Sequence, residues 1–212
     1  MSQQPIHLED RKTEGARLYS PTAGRNKVPL AQVLSLYMPH KASVLEIASG
    51  TGEQAAYICK RCGDLSWQPS DPDAASRASQ NAWAQDTDGA MQPSLNIDVL
   101  EPLPEHMHGK YDALFCSNMI HIAPRASVAG LAAIARAALK SGGKAFIYGP
   151  FLFGEDSAPS NLAFDGRLKQ RDPDWGVREL GDVKHIFGNA GLNYAGVTAL
   201  PANNHLVRFE TT

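Results

Sequence analysis

The segment Val44-Leu45-Glu46-Ile47-Ala48-Ser49-Gly50-Thr51-Gly52-Glu53 constrains the fold of this chain more than any other. Val44, Leu45 and Ile47 around a single acid read as a buried strand. Ser49-Gly50-Thr51-Gly52 reads as a tight turn, and a helix begins near Glu53 and runs to about Cys62. Glycine suits such a turn because it has no Cβ, so it tolerates positive φ and lets a ligand approach the main chain. The same residues satisfy G-x-G-x-x-A at Gly50, Gly52 and Ala55, the alanine form of a dinucleotide-binding fingerprint. The groups around the turn must therefore decide which ligand it meets.

Beyond the turn, strands and helices alternate. Leu30, Val33, Leu34 and Tyr37 share one face of a helix expected from Asn26 to Pro39. Strands are expected at Ser43–Ala48, Leu65–Gln68, Leu95–Val99, Tyr111–Asn118 and Lys144–Tyr148, with helices over about 73–84, 128–139 and 178–190. Ser141-Gly142-Gly143 is expected to cap the second of these helices. Two final strands, about 193–199 and 206–210, flank the hairpin-like Pro201-Ala202-Asn203-Asn204. This alternation predicts an α/β chain: a doubly wound, mostly parallel seven-stranded sheet, Rossmann-like, with an antiparallel last strand. Residues 1–212 read as a single domain, with an N-terminal arm over 1–25 and an insert over 149–176 that lacks strong periodicity.

Composition narrows the class. A chain of 212 residues with 43% hydrophobic and 20% charged content can bury its own core. The net charge of −2 gives no electrostatic reason to expect nucleic acid as a partner. No apolar run approaches the roughly 18 residues that span a bilayer, so no membrane partner is expected. The first twenty residues lack a signal-peptide core, and the expected location is cytoplasmic. Cys59 and Cys62 form a C-x-x-C with no second ligand pair nearby. The pair also falls late in its helix rather than at the N-terminus, where a reactive thiol would be favoured. No metal site is expected, and these cysteines read as structural.

Three placements favour a methyl donor over a dinucleotide. Glu53 opens the helix that would have to receive a pyrophosphate, and an acid there opposes a second anion. S-adenosylmethionine has no phosphate, and its amino and sulfonium groups are cationic, so carboxylates beside it help. Asp71, nineteen positions beyond Gly52, suits both ribose hydroxyls in either reading and does not separate them, whereas Asp98 suits the adenine amino group with Val99 against the ring. The terminal hairpin fits the methyltransferase version of the fold.

With E-x-A-x-G-x-G at Glu46–Gly52 and acids at the next two strand ends, the chain resembles class I S-adenosylmethionine-dependent methyltransferases from Ser43 to Glu210. Ala48 stands where glycine is commoner. A narrower likeness rests on Arg25-Asn26, Glu46–Glu53, Ser70-Asp71-Pro72-Asp73, Asn118-Met119-Ile120-His121-Ile122 and Gly149-Pro150-Phe151. It extends through Ser160–Asp165 and Arg171–Gly176. These segments resemble the family known as domain of unknown function 938, which includes methyltransferase-like protein 26. The resemblance implies the methyltransferase fold, S-adenosylmethionine as cofactor and S-adenosylhomocysteine as product, with no acceptor attached.

Methyl transfer from a sulfonium needs alignment more than a compulsory catalytic group. The expected donor-site residues are Arg25, Glu46, Ala48, Gly50, Gly52, Asp71, Asp98, Val99 and Asn118, with Arg25 offered to the donor's carboxylate. His121 is the expected general base or acceptor contact, with a structural histidine as the alternative. Tyr148 could orient an acceptor or sit in the core. Asn161, Asp165 and Trp175 are candidate contacts to a small-molecule acceptor, although Asn161 and Asp165 could instead brace the insert. The insert's other charges, Arg178 among those grouped with them, are expected to form solvated ion pairs. Two other functions stay open: a catalytically silent donor- or partner-binding module, and an NAD(P)-dependent oxidoreductase.

Overall fold

The computed structural model describes residues 10–212. The chain falls into two compact units, one ending at Asp98 and one spanning Val99–Thr212.

The first unit opens with an antiparallel hairpin of β1 (Lys12–Glu14) and β2 (Arg17–Tyr19). Helix α1 (Pro21–Tyr37) follows, then β3 (Ser43–Ile47), α2 (Glu53–Cys62), β4 (Ser66–Gln68) and α3 (Ala74–Ala84). Helix α1 begins five residues before the expected Asn26. The Ser20 side chain accepts the Ala23 N–H at 3.1 Å, and Pro21 occupies the first helical position, where its missing N–H costs nothing. The expected arm is therefore a hairpin and a helix start where it is described, and its first nine residues lie outside the described residues. Strands β3 and β4 run parallel with Val44 opposite Trp67. Val44, Leu45, Glu46 and Ile47 are all buried, so both faces of β3 are covered, as a parallel strand requires.

The expected strand at Leu95–Val99 does not form. Its neighbourhood follows β4 only through isolated parallel bridges, Trp67 to Met91 and Ser70 to Leu95. Pro93, which has no N–H to donate, lies between them.

In the second unit β5 (Tyr111–Ser117) leads through α4 (Ala126–Ala138) to β6 (Leu139–Pro150). Helices α5 (Pro159–Arg171) and α6 (Leu180–Asn189) precede β7 (Leu192–Leu200) and β8 (Asn204–Thr211). β5 is parallel to β6, and β8 is antiparallel to both β6 and β7, giving the order β5-β6-β8-β7. The closing antiparallel strand expected from the hairpin is thus present. Of the seven expected strands, six are regular among the described residues and the seventh is reduced to bridges. The glycines at 142–143 do not cap α4. That helix stops at Ala138 with Leu139 already extended, and the glycines sit where β6 slips register against β5.

Helix α5 occupies the insert. Its buried positions are Asn161, Asp165 and Leu168, so its inner face is largely polar and gives no apolar periodicity. The unit's core is aromatic: Phe115, Phe146 and Phe209 are fully buried, and Phe187 stacks on Phe209 with ring centroids 4.3 Å apart. Each such ring contributes about 2–3 kcal/mol by leaving water.

Candidate functional site

The turn after β3 is built from residues in the left-handed region: Ala48 at φ 55°, Gly50 at 57° and Gly52 at 81°. The two glycines have different reasons to be glycine. A Cβ on Gly52 would lie 2.8 Å from the Gln80 Cα, so its bareness lets α3 approach the start of α2. A Cβ on Gly50 would meet nothing closer than Arg11 Nη2 at 3.9 Å, which leaves an open face beside the turn. Ala48 carries a Cβ in a conformation that costs about 1–2 kcal/mol for an L-residue.

The turn's amides are largely spent within the protein. Ser49 N–H donates to the Ser70 carbonyl at 2.8 Å and Gly52 N–H to the Ser49 carbonyl at 3.1 Å. Gly50 N–H donates to Asp71 Oδ2 at 3.0 Å, and Glu53 N–H reaches Thr51 Oγ1 at 3.4 Å. Gln80 Nε2 in turn donates to the Gly50 carbonyl at 2.9 Å.

Acids surround this turn. Glu46 is 2% exposed and accepts the Trp67 indole N–H at 2.9 Å. Burial pushes its pKa up to about 7, against the opposing bonds from Trp67 and Ser49 and with a further lift from the charge of Asp71. Asp71 is also raised by burial, while the N–H groups of Asp73 and Gly50 pull it back. Its other oxygen, Oδ1, accepts Asp73 N–H at 3.0 Å. Glu53, buried at the first position of α2, pairs with Lys27 at 2.8 Å and accepts Ser20 N–H at 3.3 Å. Asp98 is half-buried at the end of the unit. Arg25 is exposed on α1 and bonded to Thr22 Oγ1 at 3.1 Å.

In the second unit Asn118 ends β5 at φ 62°, its N–H on the Tyr148 carbonyl at 2.8 Å and its Nδ2 on Ser117 Oγ at 3.1 Å. Val99 opens the unit half-buried; its carbonyl comes so close to Gly130 that no Cβ would fit there. His121 does not have the geometry of a general base. It is 1% exposed, and its Nδ1 accepts the Arg178 backbone N–H at 3.3 Å, so the neutral ring carries its proton on Nε2. Burial, helped by the charge of Arg178, pushes its pKa down to about 3. A base working near neutrality needs a free lone pair and a pKa near the ambient pH. The ring stands edge-on to Phe151 with centroids 5.4 Å apart, and its buried Nε2 has no hydrogen-bond partner among the described residues.

Tyr148 is fully buried within β6, and burial raises its pKa, so it is a core phenol. Asn161 Nδ2 donates to the carbonyls of Phe151 and Asn203 at 3.1 and 3.0 Å. Asp165 accepts Val177 N–H at 2.9 Å and pairs with Lys169 at 2.6 Å. Both side chains are engaged in bracing the insert. Trp175 is half-buried, its N–H on the Asp172 carbonyl at 3.1 Å. Arg178 is buried rather than solvated. Its guanidinium donates to the carbonyls of Ile120 and Ala123, both at 2.8 Å, and of Asp174 at 3.0 Å.

Residues 17–211 match the family described as "Protein of unknown function (DUF938)". The chain belongs to this family. Its fold is that of class I methyltransferases. The pyocyanin biosynthetic protein PhzM aligns at TM-score 0.75 and 16% identity over 91% of this chain and 59% of its own. CalO1, a methyltransferase in calicheamicin biosynthesis solved in an SAH-bound form, aligns at 0.76 and 15% over 90% and 54%. The PH0226 protein from Pyrococcus horikoshii OT3 aligns at 0.72 and 14% over 91% and 92%. The DUF938 chain spans a little over half the length of PhzM and CalO1.

Arg11, Trp67 and Gln80 stand beside the turn or its strand in this DUF938 protein without a sequence signal of that place. Each lies on a different element from the turn, and none belongs to a motif, so only tertiary geometry reveals it. Cys59 is buried, with its thiol pushed up to about 12 by desolvation. A cleft of about 410 Å³ lined by Gln32, Pro39, His40, Cys62 and Asp64 lies at the amino ends of β3 and β4, away from the glycine turn.

Proposed function

We propose that this protein transfers the methyl group of S-adenosylmethionine to an oxygen, nitrogen or sulfur nucleophile of a small molecule. The observation that carries the reading is the spent turn. A diphosphate needs free backbone N–H groups and an uncluttered helix N-terminus. Here four amides are already engaged and Glu53 opens α2. What remains is an open face at Gly50 bordered by carboxylates, which suits a cationic, phosphate-free nucleoside. Asp71 keeps lone pairs for the ribose hydroxyls after accepting one N–H on each oxygen. The fold shared with an SAH-bound methyltransferase supports the same ligand.

In the reaction the nucleophile's lone pair forms a bond to the methyl carbon as the carbon–sulfur bond breaks, and S-adenosylhomocysteine leaves. The protein's part is to hold both reactants in line, about 3–3.5 Å apart, and to exclude water. With His121 closed off, an acceptor whose nucleophile is already deprotonated or intrinsically neutral fits best. Asn118, half-buried at the end of β5, is available to a ligand.

Calorimetric titration of the full chain with S-adenosylmethionine and S-adenosylhomocysteine tests the reading. Binding in the micromolar range is expected, weakened at least about tenfold by Asp71→Ala, the loss of a charged hydrogen-bonding group. Absence of heat with either ligand on folded protein would falsify it.

A further inference from the structure

Resting on that reading, we propose that Arg11 receives the donor's carboxylate, the one anionic group of S-adenosylmethionine. Most of the turn's own amides are committed elsewhere, since those of Ser49, Gly50 and Gly52 are engaged. Lys27 is committed to Glu53, and Arg25, exposed on α1, bonds to Thr22.

Arg11 is placed differently. Its Nη2 lies 3.9 Å from where a Cβ of Gly50 would stand, on the open face of the turn. Its hydrogen bond among the described residues is a long one, Nη1 to Ser76 Oγ at 3.4 Å, and it forms no ion pair among them. Asp71 and Asp73 feel its charge without forming an ion pair with it, and their oxygens accept backbone N–H groups. A guanidinium with most of its five donors unspent, beside a glycine with nothing in front of it, has the fork needed for a carboxylate.

The hairpin fixes this position. Arg11 directly precedes β1, and β2 is fastened to α3 and the residues just after it. Leu18 N–H donates to Ser79 Oγ at 2.8 Å, Trp83 Nε1 donates to the Leu18 carbonyl at 3.1 Å, and Arg17 pairs with Asp86 at 2.7 Å. The Arg17 guanidinium also lies over the Trp83 ring, 4.9 Å from its centroid. The strap that carries Arg11 is thus anchored on the helix packed against Gly52.

The test compares S-adenosylmethionine with its decarboxylated form, which keeps the sulfonium, the ammonium and the nucleoside. Calorimetry on the wild-type chain should show a preference of roughly 10- to 100-fold for the intact donor, the scale of a charge-assisted hydrogen-bonded pair. In Arg11→Ala that preference should collapse to within about twofold, with affinity for the decarboxylated form unchanged, and Arg11→Lys should restore part of it. Equal affinities of the wild type for the two ligands, or a preference that survives in Arg11→Ala, would overturn the assignment. So would an equal loss of affinity for both ligands in Arg11→Ala, which would make Arg11 a brace of the turn. A wild-type chain that binds neither ligand would instead remove the methyl-donor reading itself.

Discussion

The glycine turn of the first unit and the His121–Arg178 cluster of the second both bury ionisable groups, yet they are built to opposite ends. Around the turn, carboxylates accept N–H groups from a backbone held in left-handed conformations, and the face of Gly50 stays open. Around Arg178 a guanidinium donates to three carbonyls, His121 accepts from the main chain, and the ring is sealed off. A perturbed pKa in a buried group is a common sign of a functional site. Here both regions carry such groups, and the open face of Gly50 is what sets the turn apart from the sealed cluster.

The largest expected effect tests the knot. Arg178→Met leaves the carbonyls of Ile120 and Ala123 buried without their donor and takes one from the exposed Asp174. The loss should be about 3–5 kcal/mol, as when one side of a buried charged network is removed. Glu46→Gln is the matching change at the turn. It should raise stability at pH 7 rather than lower it, because the unfolded chain releases this proton near 4.5 while burial holds the folded pKa at about 7, and an amide oxygen can still accept from Trp67. Urea denaturation of the two variants decides it; similar losses would erase the distinction between the regions.

The contrast also explains what was legible in the sequence. The turn was readable because its signal is local: glycines, an acid and a helix start lie within ten residues, and the fold's period of strand and helix frames them. Asp71 was marked by its spacing, and the structure sets its carboxylate against the Gly50 N–H. Arg178 was not, because a lone arginine near a loop looks like a solvated charge until its carbonyl partners arrive from residues 120 and 123, more than fifty positions away. Helix α5 escaped for a related reason, since a helix whose buried face includes Asn161 and Asp165 has no apolar stripe. His121 was legible both as a candidate base and as a structural histidine, and the choice between them turns on burial that sequence does not display. The strand at Leu95–Val99 failed through Pro93, whose effect on pairing outweighed the β-branched residues that follow it.

A medium effect sharpens the comparison through pH. The folded state holds a proton on Glu46 up to about pH 7, whereas an ordinary carboxyl releases it near 4.5. Between those values Glu46 makes stability fall as pH rises. His121 behaves in reverse: the unfolded ring takes up a proton below its ordinary 6.5, and the folded ring refuses it down to about 3, so stability is lost as pH falls. Each slope is about 1.4 kcal/mol per pH unit, and they oppose one another between 4.5 and 6.5. Relative to wild type, Glu46→Gln should therefore gain stability as pH rises from 5 to 6, and His121→Asn should lose it by a similar amount. Urea titrations at the two pH values measure both; variants that run parallel to wild type would show that neither group titrates as its burial demands.

The smallest effect concerns the strain at the turn itself. Ala48 occupies φ 55° with a Cβ, in the position where the related motif more often has glycine. Ala48→Gly relieves a penalty of about 1–2 kcal/mol in the folded state but adds freedom to the unfolded chain, which returns somewhat under 1 kcal/mol. A net gain of about 0.5–1 kcal/mol is expected from thermal unfolding. The same change in the second unit, Ala132→Gly in the middle of α4, should instead cost about 1 kcal/mol plus the packing of a buried methyl group. Opposite signs would show that strain is concentrated at the turn, beside the open face of Gly50; a loss at Ala48 would mean that its methyl group contributes packing that outweighs the conformational penalty.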